Sequence, residues 1–407
     1  MAATRRGAAK RAGRRRAGLP LLVAGLGTLA ARKAGAQSYI DSRLLLYQES
    51  GGRTQVVDPL FFLRQDFGET AGQLDLTVGY DVVSGASPTG GYPTLDVTTS
   101  ASGGTSASGQ VPLVSYSDRR ASLAAAYRRR FGSHLPEVDL SYAKENDYTA
   151  RSLGISDAWT MLEGRGTLHL GLSLSDDVVA PVGRDVKLPK RGNGYSLGWT
   201  WVLGERDVVD VSASLMALSG YLDDPYKVVP IGAPEDGTTA PEHRPDSRSR
   251  FALVARYGHH YRWDGAIKTS YRFYSDDWGV RAHTVELVYD QRLGSDWIVS
   301  PQLRLYVQSA ASFYGSLFVE PQQFMSADYR LSAFHSVLAG LKVSRKLYGG
   351  LEVYGEVTFQ TQRGSDRITL TKATMGLRDD EGEGGSASVS AADLNVATVV
   401  FGFTRRF

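Results

Sequence analysis

The stretch GTLHLGLSLSDD, Gly166–Asp177, decides the fold. Leu168, Leu170, Leu172 and Leu174 alternate with His169, Gly171 and Ser173. Successive side chains of a strand point to opposite faces, so this segment reads as a strand with one oily face and one small or polar face. The pattern is the same whether the leucines fill the core of a water-soluble barrel or meet lipid on the outside of a membrane barrel. The rest of the chain has to separate the two.

The alternation recurs. QLDLTVGYDV sets Leu74, Leu76, Val78, Tyr80 and Val82 against Gln73, Asp75, Thr77, Gly79 and Asp81. GYSLGWTWVL sets Tyr195, Leu197, Trp199, Trp201 and Leu203 against Ser196, Gly198 and Thr200. LEVYGEVTFQ sets Leu351, Val353, Val357 and Phe359 against Glu352, Tyr354, Glu356, Thr358 and Gln360. A soluble barrel would carry Lys and Glu in quantity on its polar face. Here that face mixes Gly, Ser, Thr and Gln with charges, which suits a crowded, wet interior.

From Tyr39 onward the pattern predicts sixteen strands, at about 39–49, 53–67, 73–83, 118–131, 135–145, 150–162, 167–176, 194–204, 208–219, 249–260, 265–275, 280–292, 297–309, 331–346, 351–362 and 393–407. Their connections sort by length. GETAG, GSH, EGRG, GERD, RWDG, GSD and YGG are short, whereas 84–117, 176–193, 220–248, 310–330 and 363–392 are long. Consecutive antiparallel strands put alternate connections at opposite ends, so one end carries tight turns and the other long loops. That asymmetry marks a transmembrane antiparallel barrel with short periplasmic turns and long outer loops. The loops are rich in Gly, Ser and Asp and read as mobile surface segments.

The chain has 407 residues, 45 glycines, 21 tyrosines and no cysteine. Thiolate chemistry and a Cys-built metal site are thereby excluded. No stretch after the N-terminus approaches the roughly 20 apolar residues of a spanning helix. Residues 1–36 read as a cleaved signal peptide. TRRGAAKRAGRRR is its basic region, AGLPLLVAGLGTLAA its apolar core and AGA at Ala34–Ala36 its cleavage site, leaving 37–407 as the barrel domain. That segment holds nine of the 46 basic residues and none of the 43 acidic ones, so 37–407 carries a net charge of −6. The basic pI is therefore no nucleic-acid footprint. The expected location is the outer membrane of a Gram-negative bacterium, and the expected partners are its lipid and the barrel assembly machinery. The latter would read the terminal strand TVVFGFTRRF, in which Phe401, Phe403 and Phe407 share a face with Val399. Arg405 interrupts the apolar face there.

Several stretches, LLLYQESGGRTQVVDP, VSGASPTGGYPT, SGYLDDPYKVV, YRFYSDDWGVRAHTVEL and QSAASFY, resemble a bacterial family known as domain of unknown function 3570. The resemblance implies an outer-membrane barrel, an envelope redox or respiratory setting and periplasmic redox partners. It brings no catalytic residue and no cofactor.

The candidate chemistry is sparse. Asp223 and Asp224, and Asp276 and Asp277, sit where strands enter loops. Paired carboxylates there suit Ca²⁺, but Asp also favours turns and Pro225 and Gly279 follow, which is the preferred reading. His259 and His260 are adjacent and point to opposite faces, so they do not share a metal. There is no nucleophile-elbow sequence, and an enzyme is not expected. With the leucines of 168–174 facing lipid, Lys268, Arg272, Glu286, Asp290, Arg304, Lys342, Glu352 and Glu356 fall on the lumen side. Mixed signs on neighbouring strands suit both a self-neutralising wall and a polar pore lining. The expected function is a porin-like channel for small polar solutes or ions. The alternatives are a non-conducting scaffold or surface-binding barrel and, less favoured, an outer-membrane enzyme.

Overall fold

The computed structural model describes residues 38–68, 71–99, 105–233, 237–370 and 386–407. The predicted signal peptide and cleavage site lie outside them. In chain order the strands are β1 (Tyr39–Glu49), β2 (Gln55–Asp66), β3 (Gln73–Pro88), β4 (Thr94–Thr99), β5 (Thr105–Gln110), β6 (Leu113–Arg128), β7 (His134–Lys144), β8 (Tyr148–Met161), β9 (Gly166–Val179), β10 (Leu188–Val202) and β11 (Asp207–Gly220). They continue with β12 (Val228–Pro230), β13 (Thr239–Pro241), β14 (Ser247–His260), β15 (Gly265–Asp276), β16 (Arg281–Leu293), β17 (Trp297–Gln308), β18 (Phe334–Lys346), β19 (Leu351–Gly364), β20 (Ile368–Leu370), β21 (Ala387–Val389) and β22 (Leu394–Arg406). No helix among the described residues is long and apolar enough to cross a membrane.

Sixteen of these strands form one closed antiparallel barrel, in the order β1-β2-β3-β6-β7-β8-β9-β10-β11-β14-β15-β16-β17-β18-β19-β22. β1 closes it against β22, with Tyr39 opposite Arg406 and Leu44 opposite Phe401. Each barrel strand matches one of the sixteen segments predicted from the alternation. Three two-stranded hairpins, β4–β5, β12–β13 and β20–β21, stand apart from the barrel.

The register answers which face is oily. Leu170 lies opposite Leu197, Leu197 opposite Ala213 and Ala213 opposite Leu253. Leu170 is 48% exposed and Leu197 54% exposed. Exposed Leu, Val, Ile, Phe, Tyr and Trp side chains recur around the wall. A surface of this kind is stable in lipid and not in water. Trp159, Trp201, Tyr257, Trp263, Trp297 and Tyr348 lie exposed near the tight-turn end, where amphipathic rings suit the membrane interface.

Ser38 and Phe407 meet at that same end, the Phe407 amide donating to the Ser38 carbonyl at 3.0 Å. Gly132 and Gly294, with φ of 60° and 64°, make two of the tight turns there, a backbone region glycine enters without strain. The long connections all lie at the other end.

At the loop end the structure departs from the sequence reading: β9 and β10 extend to Val179 opposite Leu188, and three of the connections read as mobile carry two-stranded sheets. β3 and β6 run past their predicted limits, pairing from Ser84 opposite Ser117 to Pro88 opposite Leu113. The connection between them carries the β4–β5 hairpin. Small polar residues give no hydrophobic period, but their backbone groups pair all the same.

The two faces should respond differently to charge. Leu172 faces lipid, whereas Ser173 faces the lumen between Gly154 and Gly194 of the flanking strands. Leu172→Arg should cost roughly 2–4 kcal/mol near the bilayer midplane and lower the yield of heat-modifiable barrel. Ser173→Arg should insert normally. Equal tolerance of the two would contradict the assigned faces.

Candidate functional site

The lumen is lined by charge. Lys268 and Arg272 on β15, Glu286 and Asp290 on β16, Arg304 on β17, Lys342 on β18, and Glu352 and Glu356 on β19 all line two inner cavities of about 520 and 440 Å3. The first also carries Arg256, Tyr306 and Gln360, and the second His260, Arg292 and Gln302. Part of this set is paired. Lys268 meets Asp290 at 2.5 Å, and Arg406 meets Glu352 at 3.6 Å. Glu356 accepts from Gln302 at 2.8 Å, and Arg304 donates to Gln360 at 3.1 Å. Arg272 and Lys342 rest over the rings of Tyr274 and Tyr354, contacts that favour a cation. Charges enclosed in a barrel need partners or solvent, and part of this set finds partners on neighbouring strands.

One mouth is bridged. The β3–β6 and β11–β14 connections leave the barrel six strands apart on a ring of sixteen, and yet they touch. The Val228 amide donates to the Thr89 carbonyl at 2.9 Å. The Tyr92 hydroxyl donates to the Ile231 carbonyl at 2.5 Å. The Lys227 ammonium donates to Ser87 Oγ at 2.9 Å and to the Pro88 carbonyl. Segments reaching each other from distant sides can meet only across the opening. The β17–β18 connection joins them, since Ile231 pairs with Phe318 and His243 with Met325. From the β1–β2 turn Arg53 reaches the Ala391 carbonyl at 2.8 Å and lies over Tyr329.

This cap has a core of its own. Val229, Ile231, Phe318, Met325 and Ala327 form one buried cluster, and Trp278, Val280, Ala311, Phe313 and Leu331 another. Between the loops lies a charge network. Arg244 meets Glu242 at 2.7 Å and Asp328 at 2.9 Å, while Arg330 meets Asp328 at 2.6 Å and Asp224 at 2.9 Å. Burial alone would raise the Asp328 carboxyl. Arg330, Arg244 and Lys227 outweigh it and hold that carboxyl below the ordinary carboxylate range. Burial pushes Glu242 up, against the pull of Arg244. Burial lowers the Lys227 ammonium.

The paired aspartates are absorbed by this architecture. Asp223 accepts from the Arg244 amide at 2.6 Å, and Asp224 accepts from the Tyr226 amide at 3.1 Å and pairs with Arg330. Asp276 takes Arg248 at 2.5 Å, and Asp277 caps the Ser249 amide at 3.0 Å. Their oxygens are thus committed to arginines and backbone amides. Among the described residues the one cluster close enough to share a cation is Asp118, Glu145 and Asp147 at the loop rim. Sequence spacing gave no sign of it, because Asp118 lies on a different hairpin. Asn146 donates to Asp118, Arg120 pairs with Glu145 and Tyr226 donates to Asp147. His259 is held by Asp207 at 2.7 Å on the outer side, whereas His260 lines the lumen. Phe401 lies opposite Leu44 and Phe403 opposite Val353 on the lipid side, and Phe407 caps the strand end.

The sequence profile of a family described as Protein of unknown function (DUF3570) matches residues 17–195 and 188–376. None of the curated proteins matches the chain. Among solved structures, the chain is similar to a bacterial polysaccharide outer membrane secretin, with 10% identity, 92% of this chain and 100% of that one covered, and a TM-score of 0.48. It is also similar to OccAB3 of Acinetobacter baumannii, with 7% identity, coverage of 92% and 100%, and a TM-score of 0.41. The outer membrane protein opdK of Pseudomonas aeruginosa is similar at 8% identity, with coverage of 91% and 99% and a TM-score of 0.40.

The cap should open independently of the barrel. Asp328→Asn leaves Arg244 and Arg330 without their shared partner, at a local cost of about 3–5 kcal/mol. Limited proteolysis should then cut within the β11–β14 and β17–β18 connections while the barrel stays heat-modifiable. The wild-type cap should resist mild acid. The depressed Asp328 stabilises it at every pH above about 4, the unfolded carboxylate range, and loses that effect only as pH falls through its lower folded value. The raised Glu242 contributes most below that range and less as pH rises through its folded value. Protease protection should therefore persist from about pH 7 to about pH 5. Loss of protection in that window would show that other groups hold the cap.

Proposed function

The chain belongs to the DUF3570 family, and within it we propose that this barrel is an outer-membrane conduit for small polar solutes or ions, gated by its loop cap. One observation carries the reading: a lumen lined by charged side chains leads up to a mouth bridged by loops from distant sides of the ring. A sixteen-stranded barrel is wide enough for an aqueous channel unless loops fold inward. Here they do, so the open state requires the cap to move. The reading includes export by the N-terminal signal peptide and residence in a Gram-negative outer membrane. It also includes service to an envelope redox or respiratory system through periplasmic partners, as the family resemblance implies. It makes the barrel a passage and not an enzyme.

A second reading is favoured by the cap itself. Two buried apolar clusters and a buried ion-pair network are more than a loose loop needs, and a non-conducting scaffold with a rigid outer surface would use them. Planar-bilayer recording separates the two. Refolded wild type should show rare, small openings, and replacing 221–246 by a short Gly/Ser linker should give a large, steady conductance. Silence from both proteins would favour the scaffold.

The assembly role of the last strand belongs to the same reading. Phe401 and Phe403 face lipid and Phe407 ends the chain at the tight-turn side. Deleting Phe407 should reduce the heat-modifiable fraction recovered from membranes several-fold. Unchanged insertion would remove it from the assembly signal.

A further inference from the structure

We propose that the lumen carries a lateral electric field, from a basic wall to an acidic one, that orients and favours small zwitterionic solutes. The inference deepens the conduit reading and rests on it. Register assigns each inward position. Among the described residues, inward positions on β1, β2, β3, β6 and β7 hold nine carboxylates and four arginines. Those on β14–β18 hold nine arginines or lysines and three carboxylates. Each group is five consecutive strands. Four strands, β8–β11, separate them on one side, and two, β19 and β22, on the other. The two walls therefore face each other across the barrel, one with five acids in excess and the other with six bases.

The walls cancel locally only in part. On the basic side Lys268, Arg248 and Arg256 have carboxylate partners, Arg256 through Asp210 of β11, but Arg272 and Lys342 rest on aromatic rings and Arg304 on an amide oxygen. On the acidic side Asp75 takes both Arg64 and Arg128. Asp139 has no ion pair among the described residues. Asp58 and Asp81 add two further carboxylates on the adjacent strands β2 and β3. The walls do not cancel across the lumen. Sixteen strands spaced roughly 4.8 Å apart and tilted about 40° enclose a ring roughly 30 Å wide. Side chains narrow this, but the gap still exceeds the Debye length of about 8 Å at physiological salt. Each wall keeps its own potential, and low-dielectric walls focus it. A solute of one sign gains on one side what it loses on the other. A solute carrying both signs gains on both when it lies across the lumen.

Thiol chemistry tests the field without requiring conduction, because the chain has no cysteine of its own. Ser270→Cys places a thiol opposite Arg256 on the basic wall, and Ser141→Cys places one two residues from Asp139 on the acidic wall. Refolded protein in detergent would be treated with anionic, cationic and uncharged methanethiosulfonates of similar size. The anion-to-cation rate ratio should be at least tenfold higher at position 270 than at 141. It should converge in high salt, and Arg272→Gln with Arg304→Gln should lower it at position 270. Equal ratios at the two positions would overturn the field. Failure of either thiol to react even with the uncharged reagent would overturn both proposals, since a lumen closed to it orients no solute.

The solute class is then read in liposomes holding the variant that lacks 221–246. β-Alanine should enter several-fold faster than an uncharged solute of its size, and the two arginine changes should abolish the advantage. Equal entry would overturn the zwitterion preference. No entry of either solute, with unequal thiol ratios, would overturn the conduit and leave the field standing.

Discussion

The structure depends on one constraint: in hydrocarbon no backbone N–H or C=O can be left unpaired. A strand bonds only to neighbours, so a sheet in lipid has to return to its first strand. The β1–β22 pairing does this over eleven residue pairs, from Tyr39 opposite Arg406 to Glu49 opposite Val396. Once the ring is closed there is an inside and an outside, and the period of two along every strand distributes side chains between them. Leu168, Leu170, Leu172 and Leu174 go to lipid, and His169, Gly171 and Ser173 go inward. The polar set is then obliged to keep water, other charges or aromatic faces beside it.

The same constraint ends at the rim, and the chain changes its means of stabilisation there. Along the wall, apolar side chains point away from the protein into lipid, and among the described residues the buried apolar clusters belong to the loops. Above the wall the loops stand in water and must bury something to hold a shape. They do so with Val229, Phe318, Met325, Trp278 and Phe313, and with an ion-pair network of which Glu242 and Asp328 are almost fully buried. The chain thus folds by two different solvent rules, oily side out below and oily side in above. Because the second unit is anchored on several strands, its closure does not require the wall to deform.

What the sequence revealed follows the same division. The barrel strands were legible because each repeats a local period and because tight turns sort to one end. β9 is readable from twelve residues. Even Tyr148–Met161, whose alternation is interrupted by Asp157, follows from the spacing of its turns. The cap was not legible, because its contacts join residues far apart in the chain. Glu242 meets Ser326, and Arg53 meets Ala391 over a separation of 338 residues. Segments such as VSGASPTGGYPT have no hydrophobic period to announce burial. The aspartate pairs were correctly seen at strand–loop junctions, but their arginine partners, Arg248 and Arg330, lie on other elements. The eight lumen charges on β15–β19 look evenly mixed in sign when only those strands are considered. Segregation emerges only when β1–β7 are placed opposite them in a closed ring.

The stretches that carry the family resemblance fall largely where the cap is built. Val83–Thr94 contains Thr89 and Tyr92, Ser219–Val229 contains Asp224, Lys227 and Val229, Tyr271–Leu287 contains Asp276 and Trp278, and Gln308–Tyr314 contains Phe313. These are the residues that bridge the mouth, meet the buried charges or fill the apolar clusters. A wall strand needs only alternation, and many sequences satisfy that. A cap assembled from several connections needs particular residues to meet across the opening. What distinguishes this barrel from a plain ring of alternating strands is therefore how its mouth is bridged above a lumen rich in charge.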